Sequence, residues 1–273
     1  ELDLERLGFS PDVRDGLARA LELPNGIILV TGPTGSGKTT TLYTALGRLD
    51  RQTRKIVTVE DPIEYQIDGI NQIQVKPQIG LGFAELLRAI LRQDPDVIMI
   101  GEIRDLETAQ IAIQAALTGH LVLSTLHTNG AAATVARLRD MGAEPYLLSA
   151  TVNAVLGQRL VRRLCVACRR PVAPSAALVE RFGLDRLGPL RLHEAVGCPS
   201  CRGTGYSGRM AVGELLVASE PVRRLVLEGA DQRAIEAAAA AEGHASMLDN
   251  GLRAVAGGET TLAELVRSVR LDG

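Results

Sequence analysis

The sequence predicts an α/β protein with a parallel sheet that helices cover on both faces. The first observation is that strand-like and helix-like stretches alternate across residues 26–160. The second is a glycine-rich turn between a short apolar strand and a helix, at residues 26–49. The 273 residues allow one large domain or two smaller ones. With 46% hydrophobic and 23% charged residues, the composition is that of a globular protein with a substantial core.

Four short apolar runs predict the strands of this sheet: Ile27–Val30, Ile56–Val59, Val97–Ile100 and Leu121–Leu126. The segments between and after them have a helical pattern and predict four helices: Thr39–Leu49, Phe83–Arg92, Leu106–Leu117 and Ala131–Met141. These elements together predict a core domain over residues 26–160.

The rest of the chain divides into three parts. Residues 1–25 have a helical pattern and begin at Glu1 without Met, so we expect a remnant of an N-terminal region or linker. Residues 161–210 are rich in Arg, Pro, Gly and Cys, which predicts a small inserted module. Residues 211–273 predict a helical C-terminal subdomain, in which the run Ala237–Ala241 has high helix propensity.

The glycine-rich turn matches a phosphate-binding loop, in which four residues separate a glycine from Gly-Lys-Thr. Its residues are Gly32, Pro33, Thr34, Gly35, Ser36, Gly37, Lys38 and Thr39, with Thr40 following. Glycine lets the backbone turn so that N–H groups face a phosphate chain. Lys38 is expected to reach the outer phosphates of ATP, and the Thr39 hydroxyl is a ligand for Mg²⁺. The helix that follows adds its dipole to the anion site.

Acidic residues follow two predicted strands, where an open parallel sheet binds ligands. Residues 58–65 (TVEDPIEY) carry Glu60, Asp61 and Glu64, and Glu102 follows Val97–Ile100. Either group alone reads equally well as ordinary strand-end caps. Beside a phosphate loop, both together favour phosphoryl transfer to water, which needs Mg²⁺ and a residue that orients the water.

Two histidines flank the strand Leu121–Leu126. His127 lies at its carboxyl end, from which it could reach a γ-phosphate. His120 lies at the other end and fits a structural role equally well.

The four cysteines form two Cys-x-x-Cys pairs, Cys165 with Cys168 and Cys198 with Cys201. Two such pairs can hold Zn²⁺ in a closed, structural four-sulfur site. Disulfides, redox use and free thiols are the alternatives. A nucleotide-using protein belongs in a reducing compartment, which favours zinc over disulfides.

Composition bears on possible partners. The net charge is −2, aromatic residues make up 3% and Trp is absent, which argues against a nucleic-acid translocase with a basic, aromatic groove. A local basic cluster fits a solvated face better than a phosphate or acidic partner; it comprises Arg159, Arg162, Arg163, Arg169 and Arg170. No apolar run approaches the ~20 residues of a membrane-spanning helix.

Taken together, these motifs resemble the type II secretion ATPases, within the wider group of secretion and type IV pilus motor ATPases. The resembling segments, in order, are GIILVTGPTGSGKTTTLYTAL, IVTVEDPIEYQIDGINQIQV, LRAILRQDPDVIMIGEIRDLETAQIAIQAALTGHLVLSTLHTN, QRLVRRLCVAC, CPSCRGTGYSGRMAVGELL and MLDNGLRAVAGGETTLAELVRSVR. The chain departs from the pattern at Gly130, where many relatives have Asp, and at Gly243-His244, where relatives often read Gly-Met.

The resemblance implies a RecA-like P-loop ATPase core with a metal-binding insertion. In the family's pattern Glu64 activates the water, Glu102 serves the magnesium site, and the histidine motif covers His120 to His127. ATP, Mg²⁺ and Zn²⁺ are the expected cofactors.

The resemblance also implies partners and a location. A homo-hexamer is expected, cytoplasmic and peripheral on the inner membrane, working with an inner-membrane platform protein. A membrane-anchored partner would bind through an N-terminal domain, most of which we expect to be missing from this chain. The implied function is to power pseudopilus assembly and protein export, and a type IV pilus extension ATPase is the nearest alternative. A scaffold that binds ATP without hydrolysing it is a further alternative function.

Overall fold

In the computed structural model, which describes residues 3–269, most strands belong to one seven-stranded sheet. The strands are β1 Gly26–Thr31, β2 Ile56–Glu60, β3 Asn71–Gln74, β4 Val97–Ile100, β5 Leu121–Leu126, β6 Val152–Leu164, β7 Arg170–Pro171, β8 His193–Glu194 and β9 Tyr206–Val217. The order across the large sheet is β3-β2-β4-β5-β1-β6-β9, and β7 and β8 form a separate ribbon. The six strands β3, β2, β4, β5, β1 and β6 pair in parallel with their neighbours, and β9 runs antiparallel to β6.

Helices cover both faces of this sheet. They are α1 Pro11–Leu21, α2 Lys38–Arg48, α3 Phe83–Ile90, α4 Leu106–Leu117, α5 Ala131–Asp140, α6 Pro145–Thr151, α7 Ala176–Phe182, α8 Glu220–Leu227, α9 Gln232–Ala241, α10 Met247–Ala256 and α11 Leu262–Ser268. The core around α1 and α2 lies on one face, and α3 to α6 with α8 and α9 bury the other. A third apolar cluster joins α10 and α11 to the far parts of β6 and β9. The predicted α/β class, with a helical C-terminal part, is confirmed.

Most predicted elements form close to their expected bounds. β4, β5 and α4 have the predicted ends, and α3 stops two residues early and continues as a 3-10 turn over Leu91–Gln93. The N-terminal helical pattern is interrupted at Gly8, which has a φ of +96°. It therefore yields a 3-10 turn at Leu4–Arg6 and the separate helix α1.

The expectation that the chain becomes helical from Ala211 onward is wrong. Residues Ala211–Val217 belong to β9, and the next helix begins at Glu220. A short apolar run has no period that separates a strand from a buried helix. Pairing with the long strand β6 decides the outcome. β6 runs across position 160 and β9 across position 210, which are the predicted boundaries of the cysteine module. Both strands belong to the large sheet. The four-part division of the chain stays a prediction.

Within residues 3–269, each helix is too short or too polar to cross a membrane.

Candidate nucleotide-binding site

The phosphate loop joins the fully buried strand β1 to the N-terminus of α2. Gly35 and Gly37 have φ angles of +79° and +88°, in the left-handed region where glycine carries no Cβ penalty. Gly37 is also the N-cap of α2, so the unpaired N–H groups of that helix open onto the loop. A helix N-terminus behind a glycine-rich turn is suited to anionic phosphates.

The side chain of Lys38 lies inside the loop. Its Nζ donates to the carbonyls of Gly32 at 2.8 Å and Pro33 at 2.9 Å, and lies 3.5 Å from Nδ1 of His127. Burial lowers the pKa of Lys38, the charge of Glu102 raises it, and Arg159 lowers it further. A buried ammonium held by carbonyls can take a full counter-charge from an anion.

Gln158, a fully buried residue on β6, holds the phosphate loop through hydrogen bonds. Its amide Nε2 donates to the carbonyl of Ser36 at 2.7 Å, and its Oε1 accepts from the Thr41 hydroxyl at 2.8 Å. One side chain thus ties the loop to the first turn of α2. Gln158 opens the segment QRLVRRLCVAC, but its contact with the loop could not be identified from the sequence, because it depends on the pairing of β6 with β1.

Glu102, at the carboxyl end of β4, lies between the side chains of Arg104 and His127. Its carboxylate forms a close ion pair with Arg104, and its Oε2 lies 3.4 Å from Nε2 of His127. The Arg104 hydrogen bond lowers the pKa of Glu102 against the opposing effect of burial, and the charges of Arg104 and His127 lower it further. Glu102 is therefore held as an anion. His127 lies between Glu102 and Lys38, so the carboxyl ends of β4 and β5 lie next to the phosphate loop.

The two glutamates of the acidic segment differ sharply in their surroundings. The Glu60 side chain is 3% exposed. It accepts from the Tyr43 hydroxyl, from Thr58 Oγ1 at 2.6 Å and from Gln72 Nε2 at 3.1 Å. The exposed Glu64 faces the cleft, and within residues 3–269 its carboxylate accepts no hydrogen bond. Glu64 has a carboxylate available for water, whereas that of Glu60 is already used.

These residues line one open cleft of about 820 Å³. Its wall includes most of the predicted site residues: Thr34, Gly35, Ser36, Gly37, Lys38, Thr39, Thr40, Glu64, Glu102 and His127. Gly32 and Pro33 contribute through their carbonyls, which accept hydrogen bonds from Lys38. Arg209, on β9, also lines the cleft, although sequence reasoning assigned it to the cysteine module.

Two other candidates have structural contacts. Nδ1 of His120 lies 2.9 Å from the Ala115 carbonyl, at the amino end of β5 and so away from the cleft. The basic cluster is largely engaged within the chain: Arg162 pairs with Glu264, Arg170 pairs with Glu194, and Arg169 donates to the Gly258 carbonyl.

Glu214 on β9 replaces the helix cap that Gly130 cannot supply. Its two carboxylate oxygens accept from the backbone N–H of Ala131 at 2.9 Å and of Met247 at 3.1 Å, the first residues of α5 and α10. The segment that carries His127 is thereby tied to the C-terminal helices.

The four cysteines converge on one point beyond the end of β6. Their sulfur atoms all lie within 4.8 Å of one another, and three of the pairs are 3.7 to 3.9 Å apart. Disulfide sulfurs would be about 2.0 Å apart, whereas a tetrahedron with Zn–S bonds of about 2.3 Å has edges of about 3.8 Å. Burial raises the pKa of Cys201, but the N–H groups of Cys198 and Gly205 bring it down to about 6. The donor set therefore fits a tetrahedral thiolate site for a metal ion.

A parallel sheet, a phosphate loop and acidic residues at the strand ends define a P-loop nucleotide-binding protein. Residues 1–267 match the model of the Type II/IV secretion system protein family, and the chain belongs to that family.

Curated relatives and a solved structure agree with this membership. The chain is 56% identical over 269 residues to the type II secretion system protein HxcR of Pseudomonas aeruginosa, covering 98% of this chain and 54% of HxcR. It is 48% identical to the type IV pilus assembly ATPase PilB of Myxococcus xanthus, covering 100% of this chain and 49% of PilB. The chain thus spans about half the length of these relatives. The pilus retraction motor PilT, solved with bound ADP, is 31% identical with a TM-score of 0.72, covering 97% of this chain and 66% of PilT.

Proposed function

We propose that this chain is the ATP-hydrolysing part of a motor that powers pseudopilus assembly and protein export in type II secretion. The observation that carries the proposal is the single cleft shared by the phosphate loop, Glu64, Glu102 and His127. The similarity to HxcR, to the ATPase PilB and to the motor PilT, which was solved with bound ADP, supports the proposal.

In the proposed reaction the loop from Thr34 to Thr39 holds the phosphates of ATP. Lys38 shifts its ammonium from the loop carbonyls to the outer phosphates. Glu64 accepts a hydrogen bond from the attacking water and orients it in line with the γ-phosphate. The water oxygen bonds to the γ-phosphorus, the bond to the β,γ-bridging oxygen breaks, and ADP and inorganic phosphate form.

Three further side chains, together with Mg²⁺, are proposed to act at the γ-phosphate. Mg²⁺, when bound, neutralises the developing negative charge on the phosphate oxygens. Thr39, which lines the cleft, and the anionic Glu102 are the residues that would hold it, directly or through water. His127 contacts the γ-phosphate from its place between Lys38 and Glu102.

The cysteine cluster is proposed as a structural Zn²⁺ site. Cys165, Cys168, Cys198 and Cys201 supply four sulfurs and leave no open position for catalysis. Zinc would stabilise the segment between the end of β6 at Leu164 and the start of β9 at Tyr206, within the predicted module at residues 161–210.

The proposed assembly follows from family membership. It is a homo-hexamer in the cytoplasm, peripheral on the inner membrane. A membrane-anchored secretion partner and an inner-membrane platform protein would receive its motion. Arginines of a neighbouring subunit or of the N-terminal domain would neutralise charge in the transition state.

A type IV pilus extension ATPase is the alternative, supported by the 48% identity to PilB. The segments ALTGHLVLSTLHTN and QRLVRRLC favour the secretion branch. Complementation separates the two: the full-length gene should restore export in a strain without its secretion ATPase, and fail to restore piliation in a strain without its pilus extension ATPase. The reverse result would favour the pilus branch.

Hydrolysis is tested on the full-length protein with the variants Lys38→Ala and Glu64→Gln. We expect Lys38→Ala to abolish nucleotide binding, and Glu64→Gln to bind ATP but lose hydrolysis by about 100-fold or more. Normal hydrolysis by Lys38→Ala would refute the site. Strong stimulation by single-stranded DNA would favour a nucleic-acid translocase, and nucleotide binding without hydrolysis in the wild type would favour a nucleotide-gated scaffold.

A further inference from the structure

A buried tyrosine connects the helix of the phosphate loop to the segment that carries Glu64. Tyr43 lies on α2, five residues after Lys38, and its side chain is 1% exposed. Its hydroxyl donates to Oε1 of Glu60. The hydroxyl oxygen of Tyr43 also accepts from the backbone N–H of Glu64 at 3.2 Å. The hydroxyl thus contacts both glutamates of the acidic segment and touches the backbone of the one that faces the cleft.

The surrounding network fixes this hydroxyl in place. Glu60 is held on its other oxygen by Thr58 and Gln72. The Tyr43 ring packs edge-on against Tyr65, with centroids 4.7 Å apart and an interplanar angle of 85°. Gln72 also donates to the Tyr65 carbonyl at 3.1 Å and accepts from the Ile67 N–H at 2.7 Å. The segment from Glu60 to Ile67 is therefore attached at several points to β3 and α2.

A phenylalanine would fill the same space without bringing a hydroxyl into the core, where a polar group costs free energy unless it is paired. Burial, followed by the hydrogen bond to Glu60, raises the pKa of Tyr43 far above its ordinary value. The phenol therefore keeps its proton and remains the donor to Glu60. Its free lone pair is thereby directed to the Glu64 N–H.

We infer that Tyr43 is a positioning residue that sets the place of the Glu64 carboxylate relative to the phosphate loop. This rests on the proposed function, in which Glu64 orients the attacking water. α2 begins at Lys38, so the Tyr43 hydroxyl moves with the frame that holds the phosphates. A displacement of a catalytic group by about 1 Å costs about 100-fold in rate. The hydrogen bond that the Glu64 N–H donates to the Tyr43 hydroxyl on α2 limits such a displacement.

The test is a double-mutant cycle in the full-length protein with Tyr43→Phe, Glu64→Gln and the double variant. Tyr146→Phe is the matched control, because Tyr146 is 59% exposed and lies on α6, away from the cleft. We expect Tyr43→Phe to lower kcat about 10- to 100-fold and to leave the KM for ATP within about twofold. In the Glu64→Gln background, Tyr43→Phe should then have no further effect, because it acts through Glu64.

Hydrogen exchange provides a readout that does not depend on turnover. In Tyr43→Phe the Glu64 amide loses its acceptor, so peptides covering residues 61–67 should exchange faster while α2 stays protected. Loss of protection throughout α2 would mean that the hydroxyl serves the fold as a whole, and would overturn the inference.

The kinetic outcomes separate this inference from the proposed function. If Glu64→Gln abolishes hydrolysis and Tyr43→Phe has a normal kcat, Tyr43 does not position Glu64 and the proposed function stands. The inference also fails if Tyr43→Phe lowers the residual rate of Glu64→Gln by the same factor as in the wild type. If Glu64→Gln hydrolyses ATP normally, the role of Glu64 is wrong and both ideas fall.

Discussion

Replacing Glu264 by glutamine should destabilise the protein in a pH-dependent way. Glu264 lies on α11 with its side chain 2% exposed, and its carboxylate accepts from the backbone N–H of Arg162 at 3.0 Å. It also pairs with the guanidinium groups of Arg162 at 2.6 Å and Arg267 at 3.1 Å. Burial raises the pKa of Glu264, but the hydrogen bonds from Arg162 and Arg267 outweigh this and bring it from 4.5 to about 2.

The size of the effect follows from proton linkage. Because the folded pKa is the lower one, the ionised carboxylate stabilises the fold above the unfolded pKa, and this stability is lost as the pH falls through the folded pKa. A difference of about 2.5 pKa units corresponds to about 3 kcal/mol at pH 7 and about 1.4 kcal/mol at pH 3. The arginine side chains are 47% and 65% exposed, so water compensates for part of the loss. We therefore expect Glu264→Gln to lose about 2 kcal/mol at pH 7.

Urea unfolding at pH 7 and pH 3 measures this difference in the free energy of unfolding, with thermal melting as a second probe. The exposed Glu259, whose carboxylate forms no ion pair within residues 3–269, provides the control variant Glu259→Gln. The difference between the wild type and Glu264→Gln should shrink by about half or more at pH 3. A difference below about 0.5 kcal/mol at pH 7, or one that does not change with pH, would refute the reasoning.

Three further changes test the site and the cysteine cluster. Gln158→Met removes two hydrogen bonds of about 1 kcal/mol each behind the phosphate loop, so the Kd for ADP should rise by up to about 30-fold. Titration calorimetry measures this Kd, and an unchanged value would contradict the expectation. Arg104→Gln removes the main cause of the lowered pKa of Glu102. The acid limb of the ATPase pH profile should therefore move to higher pH, and a profile like that of the wild type would count against an ionised Glu102 in catalysis. Cys168→Ser should lower the zinc content per chain and the melting temperature together, whereas full zinc content would show that Cys168 is not a ligand.

Much of the fold could be predicted because its signals are local. The ends of β4, β5 and α4 follow from contiguous apolar patterns, and the phosphate loop follows from eight consecutive residues. β9 could not be assigned in the same way, since its apolar run suits either a strand or a buried helix until β6 pairs with it.

The same distinction applies to the candidate site. Lys38, Glu64, Glu102 and His127 stand in recognisable motifs, so their presence in one cleft could be predicted from the sequence. Their supporting residues could not. Gln158 meets Ser36 and Thr41 across separations of 122 and 117 residues, and Tyr43 meets Glu60 across 17. Arg209 reaches the cleft from a segment that composition assigned to another module.

The sequence by itself determined the class of this protein, its phosphate loop, its four-sulfur cluster and its family. These features depend on residue type and spacing within short segments, which elementary chemistry can interpret without coordinates. The tertiary structure alone decided which glutamate is buried and which is open to water, and which side chains hold the loop and the Glu64 segment. Those properties arise from the packing of distant segments, because burial and hydrogen-bond partners exist only once the strands have paired and the helices have closed over the sheet.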